Sequence, residues 1–253
     1  MSDTLSGFLL WHEPTTTRDV VSRLTRLKKE QGLIDGWLRY DYITDEQISK
    51  VDAEGLPPFT HQLFARWGKD RLILLSNTYR VCDHFIERDL RPAIASLLRK
   101  ADIAVHDLVL SMMDFHLAVV ASVEGKSDAR LPPPLNAEWT VEWQEFNERH
   151  TLSYASARTD AFEGALQKIE FEGEDLPAAA LFAGAVPVVR FRNCGFRRKT
   201  SDEQGASSSY ELLRLGKTGF LSFTMPGSAR GRRDRFKEVE AVLRNLNKFG
   251  FIK

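Results

Sequence analysis

Cysteine is scarce in this chain of 253 residues: Cys82 and Cys194 are its only two, far apart and without metal-ligand spacing. That excludes a disulfide framework and a cysteine-based zinc site, and it fits a reducing, cytoplasmic setting in which thiols stay unpaired. The opening residues Met1-Ser2-Asp3-Thr4 carry no basic n-region and no long apolar h-region, so no secretory signal is expected. Long apolar runs are missing too. The most apolar stretch, 103–123, is broken by His106, Asp107, Asp114 and His116. Charge at a bilayer centre is costly, so the stretch reads as buried soluble structure and a membrane is not an expected partner. The six histidines (His12, His61, His84, His106, His116 and His150) form no HExxH motif and no Cys/His cluster, and no Gly-x-Ser-x-Gly elbow accompanies them. Internal repeats are absent. No motif names a reaction, a cofactor or a metal, so no catalytic residue is assigned.

Net charge is absent as well, with 35 basic against 35 acidic residues, but the balance is local in origin. Residues 186–253 hold 15 Lys/Arg and 6 Asp/Glu, a net +9, and everything before them carries −9. Most of that deficit lies in 136–185, with 3 basic and 10 acidic residues. Such asymmetry points to a polyanionic partner or to electrostatic self-docking and is silent about fold. A hydrophobic fraction of 43% and a charged fraction of 28% suffice for a packed core, and the length allows one large domain or two ordinary ones.

The pattern predicts an α+β fold in two lobes: a mixed α/β lobe over 1–125, a Pro-rich connector over 126–136 around Pro132-Pro133-Pro134, and a mainly antiparallel lobe over 137–253. Gly7–Trp11, Trp37–Ile43 and Arg71–Leu75 read as strands. Thr15–Thr17 are candidate caps for a helix whose apolar face holds Val20, Val21, Leu24 and Leu27 and which stops at Gly32. Thr44-Asp45-Glu46-Gln47 matches a capping box. Ser76 or Asn77 should cap a helix burying Cys82, Phe85, Ile86 and Leu90, kinked or restarted at Pro92. The segment 103–123 reads as a helix or a long strand. Alternation predicts strands at Trp139–Trp143 and Gln167–Glu172. A short helix is expected from Pro177 to Gly184, a strand over Val186–Phe191, and a hairpin around Gly216–Gly219. An amphipathic helix from about Asp234 to Gly250 should close the chain and cover the sheet.

The basic segment supplies the leading functional expectation. Arg190 and Arg192 alternate along a strand, Arg197, Arg198 and Lys199 follow, and Lys217 sits in the hairpin turn. Arg230, Arg232, Arg233 and Arg235 lie in a glycine-containing loop before the last helix. Guanidinium forks pair bidentately with phosphate oxygens, so these ten residues are the candidate contacts to DNA or RNA. Interleaved Phe191, Phe196, Phe220 and Phe223 offer rings for base stacking where exposed. The expected function is that of an accessory protein binding nucleic acid through this segment.

Two other function classes compete. Asp114 followed by Glu124-Gly125-Lys126 resembles the metal-binding core of PD-(D/E)xK nucleases, which implies two carboxylates on Mg²⁺ and a lysine steadying the attacking water. The intervening 115–123 holds no turn residue. A continuous strand would part the two carboxylates by about 33 Å and a helix by about 15 Å. An adaptor or assembly subunit is the remaining class, with the acidic 136–185 and basic 186–253 surfaces pairing with a protein partner or a second copy. Glu170 and Glu172 share a strand face and read first as a solvent-facing ladder, second as a cation or acid/base pair. Gly216-Lys217-Thr218 mimics the end of a P-loop, but the required upstream glycine is Glu211 and a strand follows, so that reading is rejected.

Overall fold

Strand β1 (Asp3–Trp11) begins a computed structural model that describes residues 3–34, 36–44, 59–94, 98–124, 140–158, 168–198 and 211–253. The chain combines helices with a large antiparallel sheet, the expected α+β class. It forms two compact units that are not consecutive stretches. One comprises residues 1–101 with 218–236, the other 102–217 with 237–253. The expected connector 126–136 and the capping box after Thr44 lie outside the described residues.

In the first unit the strands run β2 (Leu27–Ile34), β3 (Trp37–Thr44), β4 (Phe59–Trp67), β5 (Arg71–Ser76), β1 and β11 (Phe220–Met225), and the short β6 (Arg99–Lys100) also pairs with β1. The run Leu72 to Ser76 is buried on both sides of the pleat, as an interior strand requires. One face packs Phe8, Leu10, Tyr42 and Leu74 against α2 (Tyr79–Phe85), through Val81, Cys82 and Phe85. On the other, the Phe236 ring lies 4.3 Å from Trp37, 5.8 Å from Phe64 and 6.1 Å from Phe223.

Local chemistry explains the boundaries. Thr78, two residues past the expected Ser76, caps α2 by accepting from the Arg80 N–H, while Ser76 is buried at the end of β5. A π-turn over Ile86–Leu90 leads into α3 (Arg91–Ala93), where Pro92 occupies the first turn, a position that needs no N–H donor. The helix expected to reach Gly32 is only α1 (Thr17–Val21), capped by Thr16. Polar 28–31 instead belong to β2, whose ladder partner is the aromatic β3. Pairing with that strand overrides the local helical spacing.

The second unit holds β10 (Glu211–Gly216), β9 (Phe191–Arg198), β7 (His150–Arg158) and β8 (Lys168–Glu172), in that order. Segment 103–123 resolves into helix α4 (Val105–Val123), burying Leu108, Val109, Met112 and Met113. It is the one helix among the described residues long and apolar enough by composition to cross a membrane, with a mean hydropathy of 1.3. The expected strand at 139–143 is instead α5 (Thr140–Arg149). Trp143, Phe146 and Asn147 are all buried, a 3–4 spacing that outlasts the five-residue alternation read from sequence. Their aromatic cluster extends to Phe249, 5.1 Å from Trp143, and to Phe196, 6.0 Å from Phe146. A 3-10 turn (Leu176–Ala178) and α6 (Ala180–Ala185) stand near the expected short helix, but 186–190 form a turn and coil, and β9 starts only at Phe191.

Candidate nucleic-acid interface

The last helix, α7, covers Ala229–Lys248, so it starts five residues before the position expected from apolar spacing. The Ser228 hydroxyl accepts from the Gly231 N–H at 3.1 Å, which satisfies a first-turn donor and lets the basic segment become helical. The helix ends at Gly250, φ 77°, with the Phe251 N–H on the Leu246 carbonyl at 2.9 Å. Arg230, Arg232, Arg233 and Arg235 are therefore helical, and the glycine loop expected there is corrected.

Helical placement sorts these arginines. Phe236, Val239, Val242, Leu243 and Leu246 are buried, and the opposite, exposed face carries Arg230, Arg233, Asp234, Lys237, Ala241, Arg244 and Lys248. That face holds five cations and one carboxylate along about 27 Å of helix, at 1.5 Å per residue. Lys248 pairs with Glu142 on α5. Arg232 and Arg235 are only half exposed. Arg232 Nη2 donates to the Gly227 carbonyl at 3.1 Å, and its Nε is buried with no partner among the described residues.

The other expected contacts belong to the second unit, and each is described there by itself. Arg190, Arg192 and Arg198 are exposed on or before β9, and Lys217 is exposed in the turn after β10. Arg197 is half-buried, and Arg198 pairs with Glu238. Lys199 lies outside the described residues. Phe191, Phe196 and Phe223 are buried, so stacking on bases is not available to them. Lys237, Arg244 and Lys248 were missed in the sequence. The apolar period of the helix carried the signal: the positions opposite Phe236 and Val239 are these cations.

The competing motifs fare differently. Asp114 and Glu124 sit ten residues apart on α4 and its C-cap, about 15 Å along the axis, so they do not converge on one metal ion. Lys126 lies outside the described residues. Glu170 and Glu172 are exposed, with Ile169 and Phe171 turned inward, the ladder arrangement. The Tyr154 hydroxyl donates to Glu170 at 2.7 Å, and Lys168 pairs with it and, together with that donor, lowers its pKa. Among the described residues no cluster of His, Cys, Asp and Glu is placed to hold a metal. Both thiols are buried and unpaired, and burial pushes them up, away from thiolate chemistry.

His150 is a half-buried ring at the junction of α5 and β7. It stacks 4.4 Å from Phe146 and donates from Nδ1 to the Phe146 carbonyl at 2.9 Å. Burial lowers its pKa from 6.5; Arg198 and Arg149 lower it further, while the Phe146 carbonyl and Glu238 oppose them. Below about pH 6.5 the unfolded chain therefore binds more protons than the folded one, and stability falls as pH falls. His150→Gln should flatten the decline of the melting temperature between about pH 6.5 and 5. An unchanged decline would show that other groups carry it.

No protein-family model, curated protein or solved structure matches the chain.

Proposed function

We propose that the protein binds the phosphate backbone of DNA or RNA through the exposed face of α7. The observation that carries this reading is one helix face with Arg230, Arg233, Lys237, Arg244 and Lys248 against a single Asp234. Exposed Arg190, Arg192 and Lys217 add cations in the second unit. Contacts of this kind position a protein on nucleic acid and carry no base readout. Cys82 and Cys194, buried and unpaired, support a reducing, cytoplasmic setting.

The test is a titration of mixed-sequence DNA and RNA across a salt series, with and without Mg²⁺. Four phosphate contacts, from Arg230, Arg233, Lys237 and Arg244, correspond to a log–log salt slope near −3.6 on duplex DNA. Affinity should then fall about 150-fold between 50 and 200 mM salt. No binding at about 50 mM, where such contacts are strongest, would overturn the proposal. Salt-sensitive oligomers in the absence of nucleic acid would instead assign the charge separation to self-association.

A further inference from the structure

Strand β5 is shorter than both of its neighbours, and that mismatch opens a notch in the first unit. Its last residue, Ser76, stands opposite Leu63 on β4 and Ser6 on β1. Beyond it the chain turns away through Asn77 to the Thr78 cap of α2. Thr60, His61 and Gln62 on β4, and Thr4 and Leu5 on β1, thus run past the end of β5, and among the described residues no strand lies between them. Two strand spacings separate those edges, about 9.6 Å.

The notch is a cleft of about 450 Å³ lined by Thr4, Leu5, Thr60, His61, Gln62, Phe64, Asn77, Met225 and Arg232. Leu5, Phe64 and Met225 are buried and give it an apolar base. Everything else among the described residues that line it is a hydroxyl, an amide, an imidazole or a guanidinium, with no acidic side chain among them. Arg232 reaches it because it lies one turn before Phe236, so both face the sheet. Two buried nitrogens on this lining, His61 Nε2 and Arg232 Nε, have no hydrogen-bond partner among the described residues. A half-buried guanidinium with an unspent donor is costly to leave so, and it is the group best matched to a planar or tetrahedral oxyanion.

The second unit has a cleft of similar size, about 350 Å³, and makes an instructive contrast. Its cations meet carboxylates within the lining: Arg149 with Glu145, Lys248 with Glu142 and Arg198 with Glu238. Among the described residues the Arg232 cleft supplies no such internal anion.

From this arrangement we infer that the β1–β5–β4 notch is a binding site for a small molecule bearing a phosphate or carboxylate group. Arg232 takes the charged oxygens, and Thr60, Gln62 and Asn77 supply neutral hydrogen bonds. The volume lies within the range of ordinary small-ligand pockets and exceeds what a bare oxyanion fills, so an organic body rests on Leu5, Phe64 and Met225. The site is separate from the exposed face of α7, because Arg232 is not on that face.

Isothermal titration of the full chain with inorganic phosphate, AMP and citrate tests this. One saturable site is expected for at least one of them. Tighter AMP than phosphate would assign a phosphorylated organic ligand, preference for citrate a carboxylate ligand, and equal affinities for AMP and phosphate would overturn the organic body on the apolar base. Arg232→Gln should weaken binding roughly tenfold, the loss of one charge-assisted interaction. Thr60→Val, at an exposed position, should weaken it less while leaving the fold intact, which keeps the test valid if Arg232→Gln fails to fold. Arg230→Gln with Arg233→Gln should leave it unchanged, whatever happens to nucleic-acid binding. No saturable binding of any probe up to roughly 10 mM, or binding untouched by both Arg232→Gln and Thr60→Val, would overturn the inference.

Discussion

Replacing Arg230, Arg233 and Arg244 together with glutamine should cut the salt sensitivity of nucleic-acid binding from about 150-fold to about fourfold between 50 and 200 mM, because one contact of four remains. All three side chains are exposed on the outer face of α7, and exposed substitutions of this kind change stability by no more than about 0.5 kcal/mol. A loss of binding would therefore report on contact rather than on folding, and an unshifted melting temperature would confirm it. The informative control is Arg232→Gln. Neighbouring arginines in sequence look interchangeable, but the helix turns Arg232 toward the sheet and Arg233 toward solvent. The slope should survive loss of Arg232 and flatten with loss of Arg230, Arg233 and Arg244. If Arg232→Gln flattens the slope as strongly as the triple variant, the exposed helix face is not what meets phosphate.

That sorting was only half legible in the sequence. The density of cations after residue 186 is plain in composition, and so is the apolar period of α7 from Phe236 onward. Where the helix starts is not, because Gly227 and Gly231 mark a loop in propensity and Ser228 turns them into a helix entry with one hydroxyl. Interior strands such as β5 were readable because burial on both faces makes them continuously apolar. Short patterns failed where the window was too small: Trp139–Trp143 alternates like a strand, and only Phe146 and Asn147 beyond it reveal the helical spacing. The cleft was out of reach altogether. It arises from a difference in length between β5 and its neighbours and gathers residues from Thr4 to Arg232, and long-range pairing of that kind leaves no local trace.

Gly7→Ala should be the most damaging single-methyl change in the first unit. A Cβ built at Gly7 would stand 1.9 Å from the Leu74 carbonyl oxygen, 2.9 Å from its carbon and 3.0 Å from Cys82 Sγ. The two closest atoms are backbone of the central strand β5, which is held on its other edge by β4. A flexible side chain can step aside, but this carbonyl moves only if the β1–β5 ladder does, from Ser6↔Ser76 to Trp11↔Arg71. Overpacking a core costs about 1–3 kcal/mol when side chains absorb it, and backbone contact places this change at or beyond the upper end. At about 3 kcal/mol the melting temperature of a chain this size should drop by roughly 6–12 °C. Cys82→Ala should not rescue it, because the sulfur is only the third-nearest atom. The matched control is Gly184→Ala, in the exposed last turn of α6 with no atom within 4 Å of the added carbon. There the methyl only restricts the unfolded chain and favours helix, for a gain of about 0.4–1 kcal/mol. A Gly7→Ala protein melting within about 2 °C of the parent, less than about 1 kcal/mol of cost, would mean that β1 and β5 do not approach as closely as this packing requires.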